Sequence, residues 1–388
     1  MITFKPITIE DKAEIESFTL PYAPANCDLA FANMFCWQFQ FKTAWSVVDG
    51  FLVIRFQIGG SDRIGYMQPV GAGDFTPVLR HLEEDILAAG QRLRIIDMTP
   101  EGLEKLRSVG HCQFAFASDR NLEDYVYNAS DLRDLPGRKY QSKRNHINRF
   151  EAEYEYRYEP MTRDHAAECM RLEAEWRKTR SGHTGELSAE QRAMQRAFAH
   201  FDRLGLIGGC IYVGDKLVAF TYGSPINDHT FCVHVEKADT EYDGAFTIIN
   251  REFVAHLPEQ YTLIDREEDL GIPGLRQAKL SIPSGIPREE IYGPLPLPRR
   301  NSLQTALDKV LRRRRNLHRL LPDRPLQPQA DARSRRGRPS GGHAAPDPVR
   351  KRAGAHDLHL RRGDDPDYRA GPGLRIDARG DAADRRRR

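Results

Sequence analysis

Residues 4–11 read FKPITIED, and residues 158–165 read YEPMTRDH. In the first string residues 3–7 alternate as a strand does, and Thr8 can then cap a helix running to about residue 18. Asp11 stands at the reciprocal capping position. The second string echoes the first position by position. Two further landmarks return in the same order, each roughly 160 residues on. The Asp49-Gly50 turn with Phe51-Leu52-Val53 is matched by Gly214-Asp215 with Lys216-Leu217-Val218. The apolar strand Leu93-Arg94-Ile95-Ile96-Asp97 is matched by Tyr261-Thr262-Leu263-Ile264-Asp265.

Three echoes in register imply two copies of one unit: strand, helix, several antiparallel strands, helix, strand. The predicted fold class is therefore α+β with mixed, mostly antiparallel sheets, not a doubly wound parallel sheet. Neither GxGxxG nor a P-loop occurs. In the second copy the pattern predicts helices over 161–176, 191–204 and 244–257, a hairpin over 207–223, and strands over 230–236 and 262–265. Residues 179–187 read as a Gly-rich polar loop. In the first copy, residues 75–90 read as an amphipathic helix.

A chain of 388 residues is long enough for two or three domains. Six cysteines at 27, 36, 112, 169, 210 and 232 form no CxxC pair, which fits reduced thiols in a cytoplasmic protein better than disulfides or zinc. The N-terminus lacks a signal-peptide core, and no run approaches 18 apolar residues, so no transmembrane segment is expected. A net charge of +3 is too small to name a partner; its basic excess falls at 137–150 and in the tail.

The segment 137–150, GRKYQSKRNHINRF, is basic without being a plain charge run. Tyr140, Ile147 and Phe150 fall on one helical stripe; Arg144 shares it and Lys143 borders it. A cation on the face a helix buries needs an anion, either a ligand's phosphate or carboxyl group or an internal acid. On the strand 230–236, alternation puts Cys232, His234 and Glu236 on one face. All three are metal-ligand types, but ligands on one strand rarely converge, so no metal is expected; Glu236, ending the strand, is the candidate general base or a cation-binding carboxylate. The run DREEDLGIPG at 265–274 clusters four acids at a strand end, with Arg276 and Lys279 nearby. There Asp269 and Glu267 can bind an ammonium group or pair with Arg144.

Residues 1–281 resemble the stand-alone branch of the phosphatidylglycerol lysyltransferase C-terminal domain family, whose members are similar to two fused acetyltransferase-like (GNAT) units. The resemblance rests on DLAFANM at 28–34 with Trp37, on GRKYQSKRNHINRF, on HVEKAD at 234–239, and on REEDLGIPGLRQAKLS ending at Ser281. It implies a GNAT-like unit over 1–115, a connecting segment over 116–150, and a second unit over 151–281. It also implies a transferase cleft between the units, moving an aminoacyl group from charged tRNA to a small-molecule or lipid head-group acceptor. Lys143, Arg144 and Asn145 would then hold the tRNA end or a phosphate. Glu236 and Asp269 would hold or deprotonate an amine, and Glu267, Arg276 and Lys279 would complete the binding set. Ordinary acetyltransferases carry an (Arg/Gln)-x-x-Gly-x-(Gly/Ala) loop for acyl-CoA, where this chain has EYDGA at 241–245.

After Ser281 the composition changes. Residues 301–388 contain no Phe, Trp, Cys, Met or Glu, while 21 of the 88 are Arg, too little apolar surface for a core. Such a tail is expected to be disordered. Family resemblance instead calls for Ser-(Tyr/Phe)-His-Pro and an apolar strand after AKLS. Back-translated with suitable codons and moved one nucleotide, residues 282–295 can read FHPAFLVKKYTARY, and residues 301–324 can read TAYRQLWTKCFDDDGTFIDFYRT. We read 282–388 as the product of a frameshift near codon 281, costing the second unit its last strand and leaving a neighbouring strand unpaired. Resequencing the gene is expected to reveal an inserted or missing nucleotide there; an unbroken frame through codon 300 would refute the reading.

Overall fold

The structure, a computed structural model, describes residues 1–59, 61–109, 114–181, 188–282 and 374–377. The first unit comprises strands β1 (Lys5–Pro6), β2 (Ala44–Val48), β3 (Phe51–Gln57), β4 (Ile64–Met67), β5 (Val70–Gly71), β6 (Arg94–Ile96) and β7 (Ala115–Ser118). Its helices are α1 (Lys12–Tyr22), α2 (Phe31–Phe41), α3 (Phe75–Ala88) and α4 (Pro100–Ser108). A second sheet uses β8 (Val126–Asn128), β9 (Tyr156–Pro160), β10 (Ile207–Val213), β11 (Lys216–Pro225), β12 (Thr230–Ala238) and β13 (Leu263–Asp265). Around it lie α5 (Ala129–Asp134), α6 (Gln141–Glu153), α7 (Ala166–Ser181), α8 (Ala189–Ala199), α9 (Phe201–Leu204), α10 (Ala245–Ala255) and α11 (Pro273–Leu280). A last strand, β14 (Leu374–Asp377), lies between β6 and β7; the rest of 282–388 beyond Ile282, where disorder was expected, lies outside the described residues.

The echoes in the sequence occupy equivalent places. Both β1 and β9 lead into a single 3-10 turn closed by a capping box, Thr8 with Asp11 and Thr162 with His165. Asp49-Gly50 turns β2 into β3, and Gly214-Asp215 turns β10 into β11. β6 runs parallel to β4, as β13 runs parallel to β12. Each unit is thus an antiparallel meander with one late parallel strand.

Local chemistry fixes the helices that frame the site. α3 buries Phe75, Val78, Leu79, Leu82 and Ile86 at helical spacing, and Asp74 caps it by accepting from the Thr76 amide at 2.9 Å. α8 begins in a capping box of Ser188 and Gln191. α6 follows a 3-10 turn over Arg138–Tyr140 and buries Tyr140, Ile147 and Phe150, the stripe read in the sequence.

The second sheet divides two apolar cores. One side carries Phe231, Val233, Ile248, Ile249 and Phe253 with Tyr140, Ile147 and Phe150, so α6 and α10 cover it. The other side joins Cys210, Phe220, Cys232 and Val235 to Ile15, Leu29, Phe31 and Trp45 of the first unit. The two units therefore share one continuous core. Polar ties reinforce the junction: Asn227 Nδ2 donates to the Ala23 carbonyl at 2.9 Å, and the Cys27 amide to Asp124 Oδ2 at 3.0 Å.

Several expected boundaries move. α7 runs five residues past Trp176, to Ser181, and the rest of the expected loop, 182–187, lies outside the described residues. The helix read over 191–204 breaks at His200 into α8 and α9. β13 is not left unpaired: β12 flanks it on one side and β8, from the connecting segment, on the other. The described cysteines 27, 36, 169, 210 and 232 are free and buried, as expected; Cys112 lies outside the described residues.

Gly223 sits opposite Val233 where the β11–β12 register steps, and a Cβ there would drive into the Cys232 carbonyl and come 2.6 Å from the Phe231 ring. Gly223→Ala is expected to cost about 1–3 kcal/mol, read as a melting temperature several degrees lower. A variant that melts with the parent would show that these strands do not pair in this register.

Candidate functional site: a splayed strand pair with a half-buried lysine

β12 and β13 pair only over Thr230–Cys232 and Leu263–Asp265; beyond that the two strands part. β12 also carries a bulge, because Tyr222 opposes Val235 while Gly223 opposes Val233, leaving His234 as the extra residue. The bulge steps the alternation by one. Cys232 and Val235 join one core, whereas Phe231, Val233 and Ala238 join the other. Cys232, His234 and Glu236 therefore do not share a face. Glu236 turns towards α6 and α10, inside the second unit and away from the junction of the units where the cleft was expected.

Glu236 meets two hydrogen-bond partners where the strands part. Its Oε1 accepts from Arg266 at 2.7 Å, and its Oε2 from Asn250 Nδ2 at 3.0 Å. The guanidinium of Arg266 lies 6.0 Å from the Tyr127 ring centre. Lys143, on α6, completes the group. Burial chiefly, then the charge of Arg266, lowers its ammonium below the ordinary lysine range, and Glu236 opposes that shift. Among the described residues the Lys143 ammonium makes no hydrogen bond or ion pair. A half-buried cation without a direct partner, beside an oriented carboxylate, can bind an anion or give up a proton.

Arg266 and Asn250 went unread in the sequence. Arg266 was legible as a cation immediately after a strand. Asn250 was legible as a polar residue amid Ile248, Ile249 and Phe253 on a buried helix face, where its amide needs a partner. The N-terminus of α10, where an acetyltransferase would seat a pyrophosphate, is covered. Gly244 caps it at φ 97°, a Cβ there would lie 2.8 Å from the His146 carbonyl, and Asp243 pairs with Arg149 at 2.5 Å.

The other sequence candidates sit elsewhere. Arg144 does not reach an anion: its guanidinium donates to the carbonyls of Leu135 and Gly137, the latter at 2.8 Å, and to Gln141 Oε1 at 2.6 Å. It thereby satisfies carbonyls just after α5, a structural demand that the helical stripe alone could not distinguish from ligand binding. Asn145 is exposed and pairs with Gln141 at 2.8 Å. Lys279 is buried and donates to the carbonyls of Arg266, Glu267 and Glu268 at 2.5, 2.9 and 2.5 Å. Glu267 turns to the opposite side of β12 from Glu236, its Oε1 lying 3.3 Å from His234 Nδ1.

Comparison with known proteins agrees with this architecture. The family model described as phosphatidylglycerol lysyltransferase, C-terminal, matches residues 20–282, ending where the composition changes. A conserved protein of unknown function from Bacteroides thetaiotaomicron is 45% identical, covering 74% of this chain and 97% of that one, with a TM-score of 0.70. L-PGS from Bacillus licheniformis is 14% identical over 73% of this chain and 90% of its own, with a TM-score of 0.52, a likeness of fold. The expected fold class, two tandem GNAT-like units, holds. No curated protein matches the chain. No helix of the described residues is long and apolar enough to cross a membrane.

Asp269 is caged rather than presented. Arg276 grips both its oxygens at 2.7 Å, Tyr125 Oη donates at 2.6 Å and the Gly271 amide at 2.9 Å. Burial would raise its carboxyl, but these hydrogen bonds outweigh burial and hold it at about 2. A carboxylate so saturated is a poor base, which counts against Asp269 as the catalytic group, and Arg276, expected in the binding set, is engaged with it. Because the folded value lies below the usual ~3.9, this group stabilises the fold above pH ~4 and the contribution is lost as pH falls through 2. Asp269→Asn is expected to lower the melting temperature at pH 7 by several degrees and to flatten its decline on acidification between pH 4 and 2. An unchanged acid limb would contradict the cage.

Proposed function

Because the chain belongs to the phosphatidylglycerol lysyltransferase C-terminal family, we propose that it is an aminoacyltransferase that moves an aminoacyl group from charged tRNA to an amine or hydroxyl acceptor. The observation that carries this reading is the half-buried, unpartnered Lys143 ammonium beside Glu236 in the splay of β12 and β13.

The chemistry needs one proton taken and one given. The acceptor's nitrogen or oxygen attacks the ester carbonyl carbon, the bond to the ribose oxygen breaks, and the acceptor's proton must leave as the ribose oxygen gains one. Glu236, fixed by Arg266 and Asn250, takes the first proton. Lys143, made more acidic by burial and by Arg266, supplies the second. Transfer of a proton from Glu236 to Lys143 resets both. Before the reaction the Lys143 charge also favours the anionic end of a tRNA. The covered N-terminus of α10 supports a tRNA ester as donor over acyl-CoA, since the amides that would hold a pyrophosphate lie under α6.

Purified protein is to be incubated with a mixture of charged tRNAs carrying labelled amino acids and a panel of amine, hydroxyl and lipid head-group acceptors. Glu236→Gln and Lys143→Met are each expected to lower transfer by the folded protein roughly 10²–10⁴-fold; Lys143→Met keeps the parent's melting temperature, while Glu236→Gln, which breaks the ion pair with Arg266, melts lower. Arg144→Ala is expected to lower stability by about 1–3 kcal/mol and to leave transfer by the folded fraction intact. Full transfer by both site variants would overturn the assignment; tRNA binding without turnover on any acceptor would make the chain a binding module.

A further inference from the structure

On the side of β12 opposite the proposed active site, three donor atoms of different chemistry converge on one point. Cys232 Sγ lies 3.4 Å from His234 Nδ1 and 3.9 Å from Glu267 Oε1, and His234 Nδ1 lies 3.3 Å from the same Glu267 oxygen. Bond lengths of about 2.3 Å to sulfur and 2.0–2.2 Å to nitrogen and oxygen, at tetrahedral angles, place such donors roughly 3.3–3.6 Å apart. The observed triangle is close to that, with only the sulfur–oxygen edge long.

Three independent features of the backbone and its supports hold the triangle. His234 stands two residues beyond Cys232, so strand alternation puts both side chains on one side of β12, and the bulge that follows turns only Glu236 away from them. The other ring nitrogen, Nε2, lies 2.8 Å from Ser224 Oγ, which leaves Nδ1 as the nitrogen presented to the thiol and the carboxylate. Glu267 is held at φ 59°, in the left-handed region that a non-glycine residue rarely adopts. That conformation is pinned on both sides: the Glu267 amide donates to Asp265 Oδ1 at 2.7 Å, and its carbonyl accepts from Lys279 Nζ at 2.9 Å and from the Tyr125 amide at 3.2 Å. The backbone that delivers the Glu267 carboxylate to the triangle is therefore fixed from both sides.

We propose that Cys232, His234 and Glu267 bind a divalent zinc-type cation, with Ser224 orienting the histidine. A thiolate, an imidazole and a carboxylate together suit a borderline-soft ion better than calcium or magnesium. The ion would tie β12 to the turn after β13, the turn that carries Arg266 to Glu236, and so would brace the splay from behind. On binding, Cys232 gives up its thiol proton to solvent as the sulfur–metal bond forms, so one proton leaves per ion bound. A Ser224–His234–Glu267 proton relay uses some of the same atoms. However, Ser224 is 3% exposed within a strand, which leaves an acyl substrate no approach to its oxygen.

The test titrates the metal-stripped full chain with Co²⁺ and Zn²⁺. One equivalent of Co²⁺ is expected to give a sulfur-to-cobalt charge-transfer band in the near ultraviolet and tetrahedral bands in the visible, and Zn²⁺ is expected to abolish both. Cys232→Ser should remove the charge-transfer band, and Glu267→Gln should weaken binding at least tenfold with the band retained. Cys169→Ser, a buried thiol elsewhere, should change neither. Circular dichroism identifies any variant that fails to fold, and His234→Asn then replaces it in the series. Failure of the wild-type chain to bind one equivalent, or an unchanged cobalt spectrum in folded Cys232→Ser, would overturn the site. Because the readout is spectroscopic, it stands or falls separately from aminoacyl transfer.

Discussion

The bulge at His234 is the constraint on which the second unit turns. A regular strand would aim Cys232, His234 and Glu236 the same way, into the core shared with the first unit. One extra residue, accommodated because its partner strand offers Gly223, sends Glu236 to the opposite side, under α6 and α10. β12 leaves β13 after three paired residues, and beyond that point Glu236 meets Arg266 and Asn250, with Lys143 near enough to feel the charges of Arg266 and Glu236. The side of the sheet on which Glu236 lies thus follows from one backbone irregularity.

The helix α6 has two duties that its sequence superimposes. Tyr140, Ile147 and Phe150 bury it against α10, and the same packing lays it over the N-terminus of α10. Closing that terminus removes the amides to which a GNAT-like unit could bind a pyrophosphate. What the helix offers in exchange is Lys143, half-buried one turn before Ile147 and within the influence of Arg266 and Glu236. A donor held by charge and by its ester end suits this arrangement better than one held by a diphosphate.

Much of the fold was legible because repetition is legible: the capping boxes at Thr8 and Thr162, the two hairpin turns and the two late parallel strands recur in order. The site was read only in part. Glu236 and Lys143 could be singled out by residue type and helical spacing, but the face of Glu236 could not, since a bulge leaves no mark in a period-two pattern. Arg144, Asp269, Arg276 and Lys279 have internal partners that the sequence could not show, for a common reason. Charged residues on a buried stripe or beside a strand end are demanded equally by ligands and by orphan carbonyls, and only geometry separates the two. Arg144 and Lys279 turned out to serve carbonyls, and Asp269 and Arg276 serve each other. Nor could spacing reveal that Glu267, 33 residues beyond His234, returns to within 3.3 Å of it.

The central claim is that Lys143 and Glu236 occupy one half-buried site and feel each other's charge. Its most direct test is the titration of the Lys143 amine itself, followed by mass spectrometry after brief acetylation of the intact protein across a pH series. The account expects Lys143 to titrate below the ordinary lysine range, and lower still in Glu236→Gln, where the carboxylate that favours its charged form is gone. A Lys143 that titrates like a solvent-exposed lysine and ignores the loss of Glu236 would contradict it.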